Sequence, residues 1–597
     1  MTTAVERGKR DNQEIPGPSR GGPAYQVSRP WTLQRAQIWS FAVLLVVAFA
    51  WSIDRVGLSF SGIAEIIEGW PATWNLLQRM VPPFIPSEDL DVVISAAFDT
   101  FFMAFAGTAL GLVLGIPLGL LSARNVMPWA SVRAVARAAI VFSRAIPALV
   151  FAIFFVRIYG IGVLPGVISI GIHSIGMIGK LVADAAEDVD PGPREGVAST
   201  GAGPMQDLFS GVWSQMVPTV ITISLYRLEL DFRSAPILGW VGAGGIGVLL
   251  RAYQGSLRYQ EMLGVTLLIV LLVIVLEALS ALTRHALLGT TERHPNKAKD
   301  TKSKRLTSGL TSPGTKIADW IISRSSQKPT LGTHLPETRL TPPWTTERLK
   351  VNAVGFMFSV LLVLSLIIPD IGASEVITGS EKIPEMIRRV TPNDWSWFTD
   401  RIVHDMIDTL GIGMAATGLA LLFAIPFSFL AASNTAPGRA VYLCSRSFML
   451  LVRCAPELVV AVIFVAAIGP GPRAGTLALA IALFGFITKL FADAIEEARQ
   501  GIRDGVASTG SSRFQESTTA VLPQVITSKI SNSMYLLDVG IRNSAIVGIV
   551  GGGGIGFLVI NASRQLEWET LGGIIFCIFV VVYVIELIST WVRRKIT

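Results

Sequence analysis

The stretch from about residue 99 to 284 recurs 309 positions downstream without a gap. Lys180-Leu-Val-Ala-Asp184 returns as Lys489-Leu-Phe-Ala-Asp493, and Val241-Gly-Ala-Gly-Gly-Ile-Gly247 returns as Val550-Gly-Gly-Gly-Gly-Ile-Gly556. Pro117, Arg144 and Glu277 have counterparts in Pro426, Arg453 and Glu586 at the same offset. Agreement at one fixed spacing over such a length marks a tandem duplication. Two like units in one chain fold as a pseudo-dimer, and a path at their seam is lined by both.

Each unit is built for a bilayer. Hydrophobic residues make up 51% of the 597 and charged residues only 16%, with mean hydropathy +0.55. A soluble chain of this length carries about a quarter charged residues. A crossing helix takes roughly 20 apolar residues. Spans are predicted near 37–54, 95–122, 135–158, 161–187, 212–232 and 262–284, and again near 351–369, 404–431, 442–468, 473–496, 521–541 and 571–593. The glycine-rich segment between the last two spans of each half is not counted as a crossing. The expected fold is an all-α polytopic membrane protein of about twelve helices in two homologous six-helix halves, 37–285 and 347–597.

Six spans per half return the chain to its starting side, and charge says which side that is. Arg7, Lys9, Arg10, Arg20, Arg29 and Arg35 precede the first span; Arg593-Arg594-Lys595 follow the last. The loop after span one is acidic, with Glu65, Glu68, Glu88, Asp89 and Asp91. Positive segments stay in the cytoplasm, so both termini are expected inside. The net charge of +7 is then largely topological and lacks the aromatic interleaving of nucleic-acid binding. Residues 1–36 are predicted to be a disordered cytoplasmic tail, and 286–346, rich in Lys, Ser, Thr and Pro, a cytoplasmic linker with one short apolar turn at 317–322.

Cys444, Cys454 and Cys577 fall in apolar spans at no metal-site spacing. The histidines form no ligand cluster, so no metal site is expected. His173 has Ala482 as its counterpart and reads as a packed, hydrogen-bonded residue.

Spans four and five of each half are joined by a polar segment on the expected cytoplasmic side. Arg194, Glu195, Gly196, Val197, Ala198, Ser199, Thr200 and Gly201 reappear as Arg503, Asp504, Gly505, Val506, Ala507, Ser508, Thr509 and Gly510. A short glycine-bounded helix held by two spans makes a rigid knob that fits a groove on a soluble partner. The bland alternative is a surface loop, but this loop is kept in both copies while others differ.

Acidic residues, then Gly, then Leu522-Pro523, resemble the coupling motif of binding-protein-dependent ABC importer permeases. With Val550-Gly-Gly-Gly-Gly-Ile-Gly556, Arg144-Ala-Ile-Pro147 and Arg453-Cys-Ala-Pro-Glu457, the chain looks more specifically like the phosphonate permease (PhnE-type) family, with two permease units fused. The resemblance covers nearly all of both halves. It implies a type I importer permease in a bacterial inner membrane, for phosphonate, phosphate or a related oxyanion. It also implies two copies of a cytoplasmic ATPase, which bind ATP and Mg, and an extracytoplasmic binding protein; no cofactor is expected in this chain. Copy one departs from the pattern: Ala148 replaces the glutamate kept at Glu457, and Ser214 stands where Pro523 lies. Pro191 and Pro193 are expected to delay or shorten the first coupling helix, so the two knobs are expected to dock unequally.

Ionisable residues inside spans are costly and commonly functional or paired. Rising about 1.5 Å per residue, a helix from Pro218 lifts Arg233 by roughly 22 Å, into the outer half of the membrane. Arg233 with Ser234, and Arg542 with Asn543 and Ser544, precede the glycine-rich bends. Backbone N–H groups exposed there beside an arginine suit an oxyanion. Arg144, Arg453 and Glu457 join them as candidate pathway residues. The competing reading is structural: Glu229 and Asp538 lie four residues before Arg233 and Arg542, at ion-pair spacing. Glu277 and Glu586 are expected to pair, as are Lys180 with Asp184 and Lys489 with Asp493. No glycine string is followed by Lys-Ser or Lys-Thr, so the chain is not expected to bind a nucleotide or act as an enzyme. The alternative function is a secondary, ion-coupled transporter with two parallel six-helix repeats, coupling through Glu277 and Glu586.

Overall fold

A backbone surrounded by lipid must satisfy its own N–H and C=O groups, and a helix does so within one segment. The computed structural model describes residues 33–288 and 346–596 apart from 60, 61, 63, 65, 66, 69, 370 and 395. Among them every regular element is a helix. The expected tail, short of its last four residues, and nearly all of the expected linker with its turn at 317–322 lie outside the described residues.

The first half contains α1 (Leu33–Arg55), α2 (Trp70–Met80), α3 (Leu90–Ser122), α4 (Ala130–Ala145) and α5 (Ala148–Tyr159). It continues with α6 (Val163–Glu187), α7 (Pro191–Ser199), α8 (Ser214–Trp240), α9 (Ile246–Gly255) and α10 (Tyr259–Leu288). The second half repeats this order as α11 (Thr346–Ile367), α12 (Ala373–Val390), α13 (Asp400–Ala431), α14 (Arg439–Cys454) and α15 (Glu457–Ile468). Then come α16 (Pro472–Glu496), α17 (Gln500–Ala507), α18 (Leu522–Val547), α19 (Ile555–Gln565) and α20 (Trp568–Ile596). The π-helical stretches Asp207–Trp213 and Ser517–Val521 run into α8 and α18. One compact body extends from Phe49 onward; the part of α1 before it is a lone helix.

Eight described helices are long and apolar enough to cross a membrane, and two bent pairs raise the number to ten. The other two expected spans fall on α1 and α11, of 23 and 22 residues. The segments 135–158 and 442–468 are not single straight helices: α4 and α5 meet at 87°, α14 and α15 at 83°. Pro147 and Pro456 are the cause. Proline lacks an N–H and drives the residue before it out of helical geometry; Ile146 and Ala455 are extended, with ψ of 125° and 126°. Val113, Leu114, Leu271, Val275, Leu422, Phe423, Leu587 and Ile588 stay exposed, as a lipid-facing surface requires.

With lipid outside, apolar burial does little to draw helices together, and close packing of small residues takes over. Gly107, Gly111, Gly115 and Gly119 form one stripe on α3, against Ile170, Ser174, Ile178 and Val182 of α6. A Cβ on Gly119 would stand 2.7 Å from the Gly179 carbonyl oxygen. Ala416, Ala420, Ala424 and Ser428 fill the same positions on α13, all buried.

Contacts between halves come in reciprocal pairs. Helix α2 packs on α15 and α12 on α5; α10 packs on α14 and α20 on α4. Helix α11 lies against α3 of the first half, while Arg55 at the end of α1 donates Nε to Asp408 of α13 at 2.7 Å. The end of α1 and α11 thus each meet the other half. This i-to-j and j-to-i exchange is the signature of an isologous, two-fold interface.

Candidate functional site

The right-angle bends carry the last residues of α4 and α14 to the seam. Arg144 forms an ion pair with Glu586 of α20, and Arg453 forms one with Glu277 of α10. Both pairs cross between halves, and they are copies of each other at the duplication offset. The expected pairing of Glu277 and Glu586 is therefore present. Arg144, expected in the pathway, is instead turned into this cross-seam pair and does not line the cavity.

A cavity of about 190 Å³ lies at the seam. Arg227, Arg233, Arg453 and Arg542 reach it, with Ser234, Glu457, Asn543, Tyr226, Tyr535 and His173. Equivalent positions from both halves line it: Arg233 with Arg542, Ser234 with Asn543, Tyr226 with Tyr535, Ala148 with Glu457 and His173 with Ala482. Six of the eight expected pathway residues meet here. Each arginine is backed by a carboxylate, because a buried charge left alone is prohibitively costly. Arg227 pairs with Asp231 at 2.6 Å, Arg233 with Glu229 at 3.1 Å and Arg542 with Asp538 at 2.9 Å. Arg453 reaches Glu229 as well as Glu277, at 2.6 Å for the former. The structural and the cavity-lining readings of Arg233 and Arg542 therefore both hold: the acids sit behind the guanidiniums, not in place of the cavity. The Nε–H groups of Arg233, Arg453 and Arg542 are buried and donate to no acceptor among the described residues. Glu457, the one lining acid, accepts from the Asn543 amide at 3.3 Å on both oxygens. His173 is both packed and cavity-lining, with Nδ1 3.3 Å from the Ile146 carbonyl oxygen.

Ser544 does not reach the cavity; its hydroxyl, 100° around the helix from Asn543, bonds the Thr409 and Ile541 carbonyl oxygens at 2.9 and 2.7 Å. At the glycine-rich bends the N–H that opens the following helix is already taken by a hydroxyl. Gly242, Gly244 and Gly245, like Gly551, Gly553 and Gly554, take φ between 68° and 103°, a turn that favours glycine. Each turn starts a short helix whose first N–H is spoken for: Ile246 donates to the Thr100 hydroxyl at 2.8 Å and Ile555 to that of Thr409 at 2.7 Å. A larger cavity of about 360 Å³, between α3, α8, α10 and α11, is lined by apolar and hydroxyl side chains without a charge and does not suit an anion.

At one end of the bundle stand α7 and α17. Arg194 holds Asp207 at 2.8 Å, and Arg503 holds Glu516 at 2.8 Å and the Asn434 carbonyl oxygen at 2.7 Å. These ties fix the inner face of each helix. Glu195, Gly196, Ala198, Ser199 and Thr200 are exposed, as are Asp504, Gly505, Ala507, Ser508 and Thr509. Gly201 and Gly510 close the knobs with φ of 78° and 81°. Pro191 and Pro193 do not delay the first knob: α7 begins at Pro191 and is the longer, nine residues to eight. Both prolines fall in the first turn, where N–H groups have no helical partner, and Asp190 caps the helix by accepting from Gly192 N–H at 2.9 Å. Beside it runs a groove of about 420 Å³ lined by Arg124, Arg194, Ala198 and Asp207. Lys180 pairs with Asp184 at 2.6 Å as expected, but Asp493 is taken by Arg446 at 3.3 Å. Lys489 leans toward Glu277 instead, at 3.9 Å.

Sequence reasoning missed Arg227, Tyr226 and Tyr535. The tyrosines are duplicates at the repeat offset, a signal that was available; Arg227 has Leu536 as its counterpart and carried none.

The binding-protein-dependent transport system inner membrane component family matches residues 115–287 and 424–597, one domain per half. The chain is 37% identical over 550 residues, 92% of its length and 93% of the relative's, to the phosphate-import permease protein PhnE of Mycolicibacterium smegmatis. It is 36% identical over 241 residues to the phosphite transport system permease protein PtxC of Stutzerimonas stutzeri, 40% of this chain and 87% of that protein. It is 40% identical over 113 residues to the putative cryptic phosphonate transport system permease protein PhnE2 of Escherichia coli, 19% of this chain and 93% of that protein. Two family domains in one chain, and a relative matched almost end to end, leave no place for a gradient-driven carrier: the chain belongs to the binding-protein-dependent inner membrane component family, as a fused two-unit, multi-pass ABC importer permease that works with a separate ATPase and a substrate-binding protein.

Proposed function

We propose that this permease imports an oxyanion of phosphorus through the seam cavity. The observation that carries the reading is the convergence of Arg233 and Arg542, equivalent residues of the two halves, on one cavity with Arg227 and Arg453. Guanidinium forks match the geometry of phosphate-type oxygens, and the buried Nε–H donors of three of these arginines have no acceptor among the described residues. The names of the relatives, phosphate, phosphite and phosphonate permeases, support the same class.

In this reading both termini and the knobs α7 and α17 face the cytoplasm, where two ATPase copies, carrying ATP and Mg, seat on them. The permease itself carries no cofactor. A binding protein delivers cargo from the opposite side. Closure of the ATPase pair draws the knobs together, and the halves rock about the seam, so the cavity opens to one side at a time. The anion is held by few contacts because a pathway must release what it admits.

The test is a panel of phosphate, phosphite, alkylphosphonates and sulfate offered to the reconstituted permease, ATPase and binding protein. At least one phosphorus oxyanion should stimulate ATP hydrolysis and enter the vesicle. Stimulation by sulfate alone, or by no oxyanion, would refute the assignment.

A further inference from the structure

We infer that Glu229 is a resident counter-anion that the cargo displaces. The inference rests on the oxyanion reading of the cavity. One oxygen of Glu229, Oε1, accepts from Arg233 Nη2 at 3.1 Å and from Arg453 Nη2 at 2.6 Å. Arg233 belongs to Glu229's own helix, α8; Arg453 belongs to α14 of the other half. A single anionic oxygen that bridges two cavity-lining guanidiniums across the seam does what a bound oxyanion oxygen would do.

The arrangement is one-sided. Asp538 is the positional equivalent of Glu229 and is one methylene shorter; it holds Arg542 of its own helix. Glu229 is 4% exposed and sits behind the arginines rather than in the cavity lining. It competes for their donors without obstructing the path.

Rocking of the halves makes this bridge a switch. Arg453 moves with the second half, whereas Glu229 and Glu277 move with the first. Parting the seam takes Arg453 away from both acids and leaves Arg233 with Glu229. Arg453 then needs an anion, and cargo supplies one. When the seam closes, the carboxylate returns to both guanidiniums and expels the cargo, so Glu229 sets the balance between capture and release.

Glu229→Gln removes the competing charge and keeps the shape. In the permease–ATPase complex in nanodiscs, without binding protein, this variant should bind radiolabelled inorganic phosphate about tenfold more tightly than wild type, the scale of one nearby charge partly screened. Phosphate uptake by the complete system should show a lower kcat with a lower KM. Glu277→Gln, which strips Arg453 without touching Arg233, should gain less affinity. If Glu229→Gln does not assemble, Glu229→Asp draws the carboxylate back from Arg453 and should give a smaller gain of the same sign. Unchanged or weaker phosphate binding by these Glu229 variants, while uptake still depends on Arg542, would overturn the counter-anion role alone. Failure of wild type and every variant to bind or import phosphate, phosphite or an alkylphosphonate would overturn that role and the oxyanion reading with it.

Discussion

At the scale of single residues, Arg233 and Arg542 each work with an acid one helical turn before them, Glu229 and Asp538. Arg542 is 7% exposed and tied to Asp538, so its removal strips one guanidinium from the cavity and leaves a carboxylate behind. Arg542→Gln should lower phosphate uptake by at least about tenfold, since charge-assisted contacts count for roughly 1.5–3 kcal/mol each. Assembly with the ATPase, followed by co-purification, should persist; normal uptake would remove Arg542 from the pathway. Arg233, Arg542, Arg453, Glu457, Ser234 and Asn543 were legible because charge or polarity inside a span is rare and the duplication marked most of them twice. Arg144 and Ser544 were misplaced for one reason. Sequence gives position along a helix, but each residue turns 100° from the last, and only packing fixes which face meets the seam.

At the scale of elements, the bends and knobs carry the mechanics. Gly505 lies on the exposed side of α17, and a Cβ there would meet nothing within 4 Å. Gly505→Ala should therefore leave folding intact and firm the helix by up to about 1 kcal/mol. Gly505→Trp should fold equally but uncouple ATP hydrolysis from uptake, because only an outside partner can feel the added bulk. Unchanged coupling in Gly505→Trp would count against docking at this face. The cross-seam pair of Arg144 and Glu586 joins α4 to α20 through side chains only 13% and 15% exposed. Glu586→Gln should destabilise the fold by about 1.5–3 kcal/mol, the weight of one charge-assisted contact, read as a lower thermal midpoint. The exchange Arg144→Glu with Glu586→Arg should recover most of it; no recovery would mean that the pair is incidental. The spanning segments, the knobs and the proline positions were visible in sequence; the short helices α2, α9, α12 and α19 were not read. The 87° and 83° bends were not read from them, because an apolar run on both sides of a proline looks like one span. The small-residue stripe on α3 was equally present and unread, since Gly at intervals of four signals close approach only once a partner helix is known.

At the scale of the molecule, duplication became two-fold architecture. The helix contacts between halves recur in mirror pairs: α2 on α15 with α12 on α5, and α10 on α14 with α20 on α4. The placement of α11 against α3 has no local signal, because contact with a partner hundreds of residues away depends on assembly rather than on the helix itself. The symmetry is broken where cargo is expected to sit, by Arg227 against Leu536, Glu457 against Ala148 and the bridge from Glu229. Seam motion is testable at Phe142 of α4 and Phe579 of α20, whose ring centroids lie 5.8 Å apart across the halves. With Cys444, Cys454 and Cys577 replaced, a Phe142→Cys, Phe579→Cys permease can be locked by a short disulfide-forming bifunctional cross-linker. The decisive reading is phosphate uptake by the complete reconstituted importer before locking, after locking and after reduction. Uptake should stop on locking and return on reduction; import at the unlocked rate through a locked seam would contradict a pathway that opens between the halves.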